Sequence, residues 1–550
     1  MDVSGNHAGI ANPSRRQACG MLATAIAATA ATCMVGCSES SGNAMTPSST
    51  SSNADSTDEK LQAAFRAIDA VVSNDVANGF PSAQVAVMKN GVLVYQGCWG
   101  KVNSYEPDGT PKADSADVTD DILYDLASNT KMYSCAYALQ LLYEQGKVDL
   151  DTPLVDILGN EFADDVVLID DPTMATQDLD AIRAWKRSIT VKDVMCHRAG
   201  FMPSPPFQNQ YYDYEKATFD TDKENPLFAG YDNSLETRQK TFEALCKTPL
   251  SYEPRTNIKY SDADYVALCF AIEKITGMGL DDYLRQNFWE PLGLDRITYN
   301  PLDNGFSKDD CVAEELNGDT RDGALSFPGA RTETIQGEVH DGVAWHCMAG
   351  VSGHAGMFAT ATQLAQLANL MVDGTADGRR YFSMDTIELF TKNDTEQDQW
   401  GLGWWRQGSW AERAKYFSSI APETTVGHQG WTGTATCIDR ENKLVVITLT
   451  NKINSRVTDP AVSTTAFDGN WFTTAALGFT TQLIYAALGQ DSFKAAQAAV
   501  EATMDSLVYN QAAALETLQN SAIESPEITM TKKACASIQA ARDQVKAARA

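Results

Sequence analysis

"DLASNTKMYS", Asp125 to Ser134, is the stretch whose reading decides the fold. Together with the "CAYALQLLYEQG" that follows it directly, it reads as a helix with Ser128 in its first turn and Lys131 three residues on. Residues i and i+3 share a helix face, so the ammonium sits one turn below the hydroxyl. A serine hydroxyl is a poor nucleophile until a neighbouring group takes its proton, and a lysine can do so only if burial or nearby positive charge keeps it neutral. Free N–H groups at the helix start can hold an oxyanion. On its own the pair is equally an ordinary helix start, and only partners elsewhere give it meaning.

Strand signals lie far away on either side. "AQVAVMKNGVLVYQGCWG" (Ala83 to Gly100) places two β-branched runs around Asn90-Gly91, a strong hairpin signal. "TATCIDRENKLVVITLTN" (Thr434 to Asn451) repeats the pattern around Glu441-Asn442. Between them the chain is mostly helix and loop, as in "DADYVALCFAIEKITG", which ends at Gly277 as a C-cap requires. The expected class is α/β of the α+β kind: a central antiparallel sheet built from both chain ends, flanked by helices, with a helical domain inserted. A site would lie between sheet and helical domain. Asp164 to Trp185 and Ser204 to Asn233 read as insertions, the second a lid or a plain surface loop.

The 550 residues are 43% hydrophobic and 21% charged, as in globular proteins, and carry a formal net charge of −29. That charge argues against nucleic acid as a partner. Residues 1–37 read as a signal peptide. Arg15-Arg16 precedes an apolar run ending in Met34-Val35-Gly36-Cys37, which resembles a lipobox with Cys37 lipidated. The Ser-Arg-Arg at 14–16 also resembles a twin-arginine export signal. Residues 38–58, small and polar, read as a flexible tether. The folded domain is expected over 59–488, anchored by lipid at the outer face of a bacterial cell membrane. Residues 489–550 are expected to form a helical extension that packs on it or, less in keeping with amphipathic helices, binds a partner, broken at Glu524-Ser525-Pro526. Of 12 cysteines, those outside the leader number nine and are scattered, which suggests neither a zinc site nor a disulfide scaffold.

The partners of Ser128 and Lys131 follow in order. "NIKYSDADY" holds Tyr260-Ser261-Asp262 before a helix, and "GHQGWTGTATCID" holds His428-Gln429-Gly430 before a strand. With "ITVKDVMCHRAGF" (Ile189 to Phe201), the segment Gly337 to Met371, "GLGW" (Gly401 to Trp404) and "LTNKINS" (Leu449 to Ser455), this set resembles the serine β-lactamase-like, penicillin-binding-protein-like family. The likeness is to its class C-type branch of DD-peptidases, esterases and related lipoproteins, over roughly Leu61 to Ala486. The resemblance implies that Ser128 attacks a carbonyl and forms an acyl-enzyme, that Lys131 activates it, and that Tyr260 relays protons. It implies an oxyanion hole from the backbone N–H groups of Ser128 and Trp431, and a substrate channel lined by Asp262, His428, Gln429 and Gly430. No cofactor and no metal are implied; His340 and His346, near Glu338 and Asp341, fit no standard ligand spacing.

Two departures bear on substrate. Asp262 stands where many members have Asn, and His428 replaces a Lys that in β-lactamases holds a substrate carboxylate. Both leave a small-molecule or peptidoglycan-derived acyl substrate open among a D-Ala-D-Ala peptide, a D-amino peptide, an ester and a weakly turned-over β-lactam. The competing reading is a non-catalytic binding or sensing lipoprotein that keeps the fold; the retention of Ser128, Lys131 and Tyr260 together counts against it.

Overall fold

The computed structural model describes residues 59–392, 399–409, 411–521 and 524–549. The proposed leader, Cys37 and the tether lie outside the described residues.

Helix α1 (Leu61–Ala77) leads into strands β1 (Ser82–Lys89) and β2 (Val92–Gly100). Short strand β3 (Tyr124–Asp125) precedes α2 (Tyr137–Glu144). Then come α3 (Asp262–Thr276), β4 (Ile297–Tyr299), β5 (Met357–Ala359) and α4 (Ala361–Asp373). The chain returns through β6 (Trp405–Arg406), β7 (Val426–Gly430), β8 (Thr434–Asp439) and β9 (Leu444–Thr450), and ends in α5 (Phe479–Leu488), α6 (Phe493–Ser521) and α7 (Pro526–Ala547).

The main sheet has the order β2-β1-β9-β8-β7-β6 and is antiparallel throughout. The two sequence-distant hairpins therefore meet at β1 and β9, with Val85 opposite Thr448 and Val87 opposite Val446. Asn90 and Gly91 both adopt positive φ, 54° and 75°, the pair of left-handed residues that a two-residue hairpin turn needs. Alternation along β1 splits the core. Ala86 and Met88 join the cluster under α4, while Ala83, Val85 and Val87 join the one under α1 and α5. Strand β9 does the same, with Val445, Ile447 and Leu449 on one side and Leu444 and Val446 on the other.

The C-terminal helices pack against α1, as the sequence suggests. Ser525 caps α7 by accepting from the Ile528 N–H, and Pro526 fills the first helical position. Asp75 of α1 staples this layer. It accepts from the Thr474 N–H and hydroxyl at 2.8 and 2.7 Å and from the Ser537 hydroxyl of α7. Burial outweighs these donors and pushes its carboxyl up to about 6. All nine cysteines among the described residues are free thiols.

The long insertion Ser204 to Asn233 has no helix or strand of its own, yet Phe207, Asn209, Asp213, Asn225 and Leu227 are buried. Asn225 holds it: its amide donates to Pro206 and Asn209 carbonyls, both at 2.9 Å, and its carbonyl accepts from Tyr214 and Leu227. The segment is a packed wall whose first residues reach the candidate site.

Candidate active site

The turn carrying Ser128 is not the plain helix start that periodicity predicts. Ala127–Asn129 form a 3₁₀ turn, Met132–Ala136 a π-helical segment, and only then does α2 begin. Ala127 sits at φ +45°, a left-handed conformation costing about 1–3 kcal/mol for a residue with a Cβ. Its surroundings hold it there. Asp125 accepts from the Ala127 N–H at 2.8 Å. Thr432 and Thr434, past the end of β7, donate to the Asp125 and Leu126 carbonyls, each at 2.8 Å. Gly430 has to lack a side chain, since a Cβ there would meet the Leu126 carbonyl oxygen at 2.3 Å. The nucleophile's turn and the end of β7 are thus stitched together.

Lys131 lies at the centre, fully buried. Its Nζ donates to Ser128 Oγ at 3.0 Å, Asp262 Oδ1 at 2.7 Å and the His354 carbonyl at 3.3 Å. The Tyr260 ring faces the same ammonium at 4.6 Å. Burial pulls the Lys131 ammonium down, but the Asp262 carboxylate and Tyr260 more than offset this and hold it above the ordinary lysine value. This setting favours the charged lysine over the neutral base that proton abstraction requires. Burial likewise lifts the Tyr260 phenol above its usual value, while Lys131 opposes the rise.

Asp262, expected to line the substrate channel, meets the lysine and stays partly exposed. Its second oxygen accepts from the Ser204 hydroxyl at 3.0 Å. A carboxylate here therefore fixes the charge of Lys131, which an amide could not do.

His428 is buried, its ring 4.6 Å from Trp405 and 6.0 Å from Tyr260. Nδ1 lies 2.7 Å from the Gln429 carbonyl oxygen, which can only accept, so Nδ1 carries the proton and Nε2 the lone pair. Burial, with Lys131 and Arg413 nearby, pushes the imidazole well below its ordinary value. His428 is thus a neutral base, not the cation that a carboxylate-binding lysine would be. Trp431 follows Gly430 directly, so its N–H belongs to the strand end stitched to the Ser128 turn.

Ser128, Lys131, Tyr260 and Asp262 lie together, with His428 and Gly430 beside them. Sequence reasoning missed what stands behind Tyr260. His197, in the quoted "MCHRAGF", packs its buried ring 4.6 Å from that of Tyr260. Its Nδ1 lies 3.1 Å from the Ser261 backbone nitrogen and 2.8 Å from an Asp264 carboxyl oxygen. Burial raises that carboxyl well above its usual range, in keeping with a protonated acid. The only signal for this pair was a histidine in a segment quoted for other reasons.

The Beta-lactamase family model matches residues 66–466. A protein of Escherichia coli strain K12 named "Putative D-alanyl-D-alanine carboxypeptidase" is 35% identical over 425 residues, covering 77% of this chain and 90% of that protein. Two solved structures share the fold. EstCE1, a hydrolase with promiscuous acyltransferase activity, has a TM-score of 0.50 at 19% identity, covering 71% of this chain and 94% of its own. A penicillin-binding protein homologue from Caulobacter crescentus has a TM-score of 0.50 at 18% identity, covering 76% and 98%.

Proposed function

The chain belongs to the Beta-lactamase family and is a serine hydrolase of it, and from that premise we propose that Ser128 is its nucleophile and a D-alanyl peptide of the cell wall its substrate. One observation carries the reading: Ser128 Oγ lies 3.0 Å from a fully buried lysine that also meets Asp262 and Tyr260.

In the proposed reaction Ser128 Oγ bonds to the carbonyl carbon, and the oxyanion is held by the N–H groups of Ser128 and Trp431. The Ser128 proton passes to the Tyr260 oxygen as the phenol gives its own proton to Nε2 of His428. Lys131, charged throughout, stabilises the developing alkoxide. Collapse of the intermediate expels the leaving amine, which takes the proton back along the same path. Water then attacks the acyl-enzyme, loses its proton through Tyr260 and releases the acid, and Ser128 regains its hydrogen.

The substrate class draws support from the name of the Escherichia coli relative, similar over nine-tenths of its length. Export and a lipid anchor on Cys37 are supported by the Met34-Val35-Gly36-Cys37 sequence; labelling cells with an alkynyl fatty acid should mark the wild type and not Cys37→Ser.

Mass spectrometry after treatment with a fluorescent penicillin or a fluorophosphonate tests the nucleophile. An adduct on Ser128, absent in Ser128→Ala, is expected; no adduct from either reagent would favour a binding protein without catalysis. Hydrolysis of D-Ala-D-Ala peptides ahead of p-nitrophenyl esters and nitrocefin is the expected order.

A further inference from the structure

The reading above needs two N–H groups on different parts of the chain, Ser128 and Trp431, to converge on one oxygen. Such donors act only when held within tenths of an ångström of the developing charge. The Ser128 turn is strained, and Trp431 is 39% exposed. Something must fix both.

His340 touches both. Its backbone N–H donates to Asp125 Oδ2 at 2.7 Å, and Asp125 Oδ1 holds the Ala127 N–H, one residue before Ser128. Its ring stacks on the Trp431 indole, with centroids 4.9 Å apart and planes 15° from parallel. The Arg321 guanidinium also lies against the indole ring, 4.7 Å from its centroid, and Phe467 meets it edge-on at 5.7 Å. Imidazole and guanidinium are locked to each other by one carboxylate. Glu315, almost fully buried, accepts from His340 Nε2 and from Arg321. The Trp431 indole is therefore packed by two groups that a single buried anion holds in place.

We propose that His340 is a positioning residue of the oxyanion hole, setting the Trp431 N–H through its ring and the Ser128 N–H through Asp125. The inference rests on the acyl-transfer reading. It gives the histidine a task that neither metal binding nor proton transfer supplies.

His340→Ala removes the ring and keeps the backbone N–H; His340→Phe keeps a flat ring on Trp431. With a p-nitrophenyl ester, the acylation rate of His340→Ala should fall about tenfold or more. Its dissociation constant for a phenylboronic acid, whose tetrahedral adduct on Ser128 places an oxygen in the hole, should rise by a matching factor. His340→Phe should recover both to within about threefold of wild type. Unchanged acylation in His340→Ala overturns the proposal. So does slower acylation with unchanged boronate affinity, or a loss explained by a smaller fraction of molecules titrated by fluorophosphonate. Failure of the acyl-transfer reading looks different: wild type itself would then form no Ser128 adduct.

Discussion

Two lysines among the described residues are completely buried, and they are solvated in opposite ways. Lys131 meets a carboxylate, a hydroxyl and a tyrosine face. Lys186 meets no carboxylate at hydrogen-bond distance among the described residues. Its Nζ donates to the carbonyls of Leu245, Cys246 and Thr248 at 3.1, 2.8 and 3.1 Å, and it lies over the Phe162 ring at 4.4 Å. Those carbonyls close the C-terminus of the helix Leu235–Lys247, where unpaired acceptors and the negative end of the helix dipole favour a cation. Burial pushes the Lys186 ammonium down to about 7, whereas Asp262 holds that of Lys131 above its ordinary value. A buried lysine is thus no sign of a site by itself. Its partners decide whether it serves the fold or the chemistry.

The largest expected effect separates the two roles. Lys131→Ala should reduce kcat about 10²- to 10³-fold, the range typical of losing a preorganised group aimed at developing charge. It should leave the fold intact, since Asp262 keeps Ser204 and some solvent. Steady-state kinetics with a melting curve check this; a variant that unfolds would make Lys131 a structural residue like its counterpart.

Lys186→Met should do the reverse. The methionine fills the space on Phe162 and Phe201 but gives nothing to the carbonyls. Leu245 still receives the Thr248 N–H, so two acceptors lose their donor. A loss of about 2 kcal/mol in denaturant unfolding is expected, with kcat per folded molecule unchanged. Equal stability would mean that water or backbone movement replaces the ammonium.

The difference between these lysines was only half legible in the sequence. Lys131 could be found because its partners carry names in order: a serine three residues before it, then Tyr260-Ser261-Asp262 and His428-Gln429-Gly430. Lys186 could not, because what holds it is backbone, and a carbonyl has no letter. The same limit hid the 3₁₀ and π turns around Ser128, which long-range stitches from Thr432 and Thr434 impose against helical periodicity. The sheet was legible because β-branched runs flank a turn signal in both hairpins and Asn90-Gly91 accepts positive φ. The charge state of Lys131 was not, since it depends on which way the Asp262 carboxylate turns.

Asp262→Asn narrows the gap between the two lysines by taking away the anion. Burial then acts on Lys131 less opposed, so its ammonium loses its proton at lower pH. If that charge stabilises the alkoxide, the alkaline limb of kcat/KM should move toward neutral pH, while the acid limb, set by His428, stays well below 6.5. A pH–rate profile reads both limbs at once. An unmoved alkaline limb would detach Asp262 from the charge of Lys131.

The smallest expected effect is a slope. A lysine pushed to about 7 in the fold and titrating near 10.4 when unfolded binds fewer protons in the folded state across that interval. The unfolded chain binds more, so the Lys186 contribution makes stability rise with pH from about 7 toward 10.4 and leaves it flat outside that window. The unfolding free energy of wild type minus that of Lys186→Met should therefore become more favourable to wild type between pH 7 and 10, measured by urea titration at each pH. Lys131, held above its ordinary value, contributes the opposite sign: its stabilisation is present below its unfolded value and fades only as pH climbs through the folded one. A flat difference for Lys186 would mean that three carbonyls hold an ammonium as firmly as one carboxylate does, and the contrast between the two lysines would then lie in chemistry alone and not in charge.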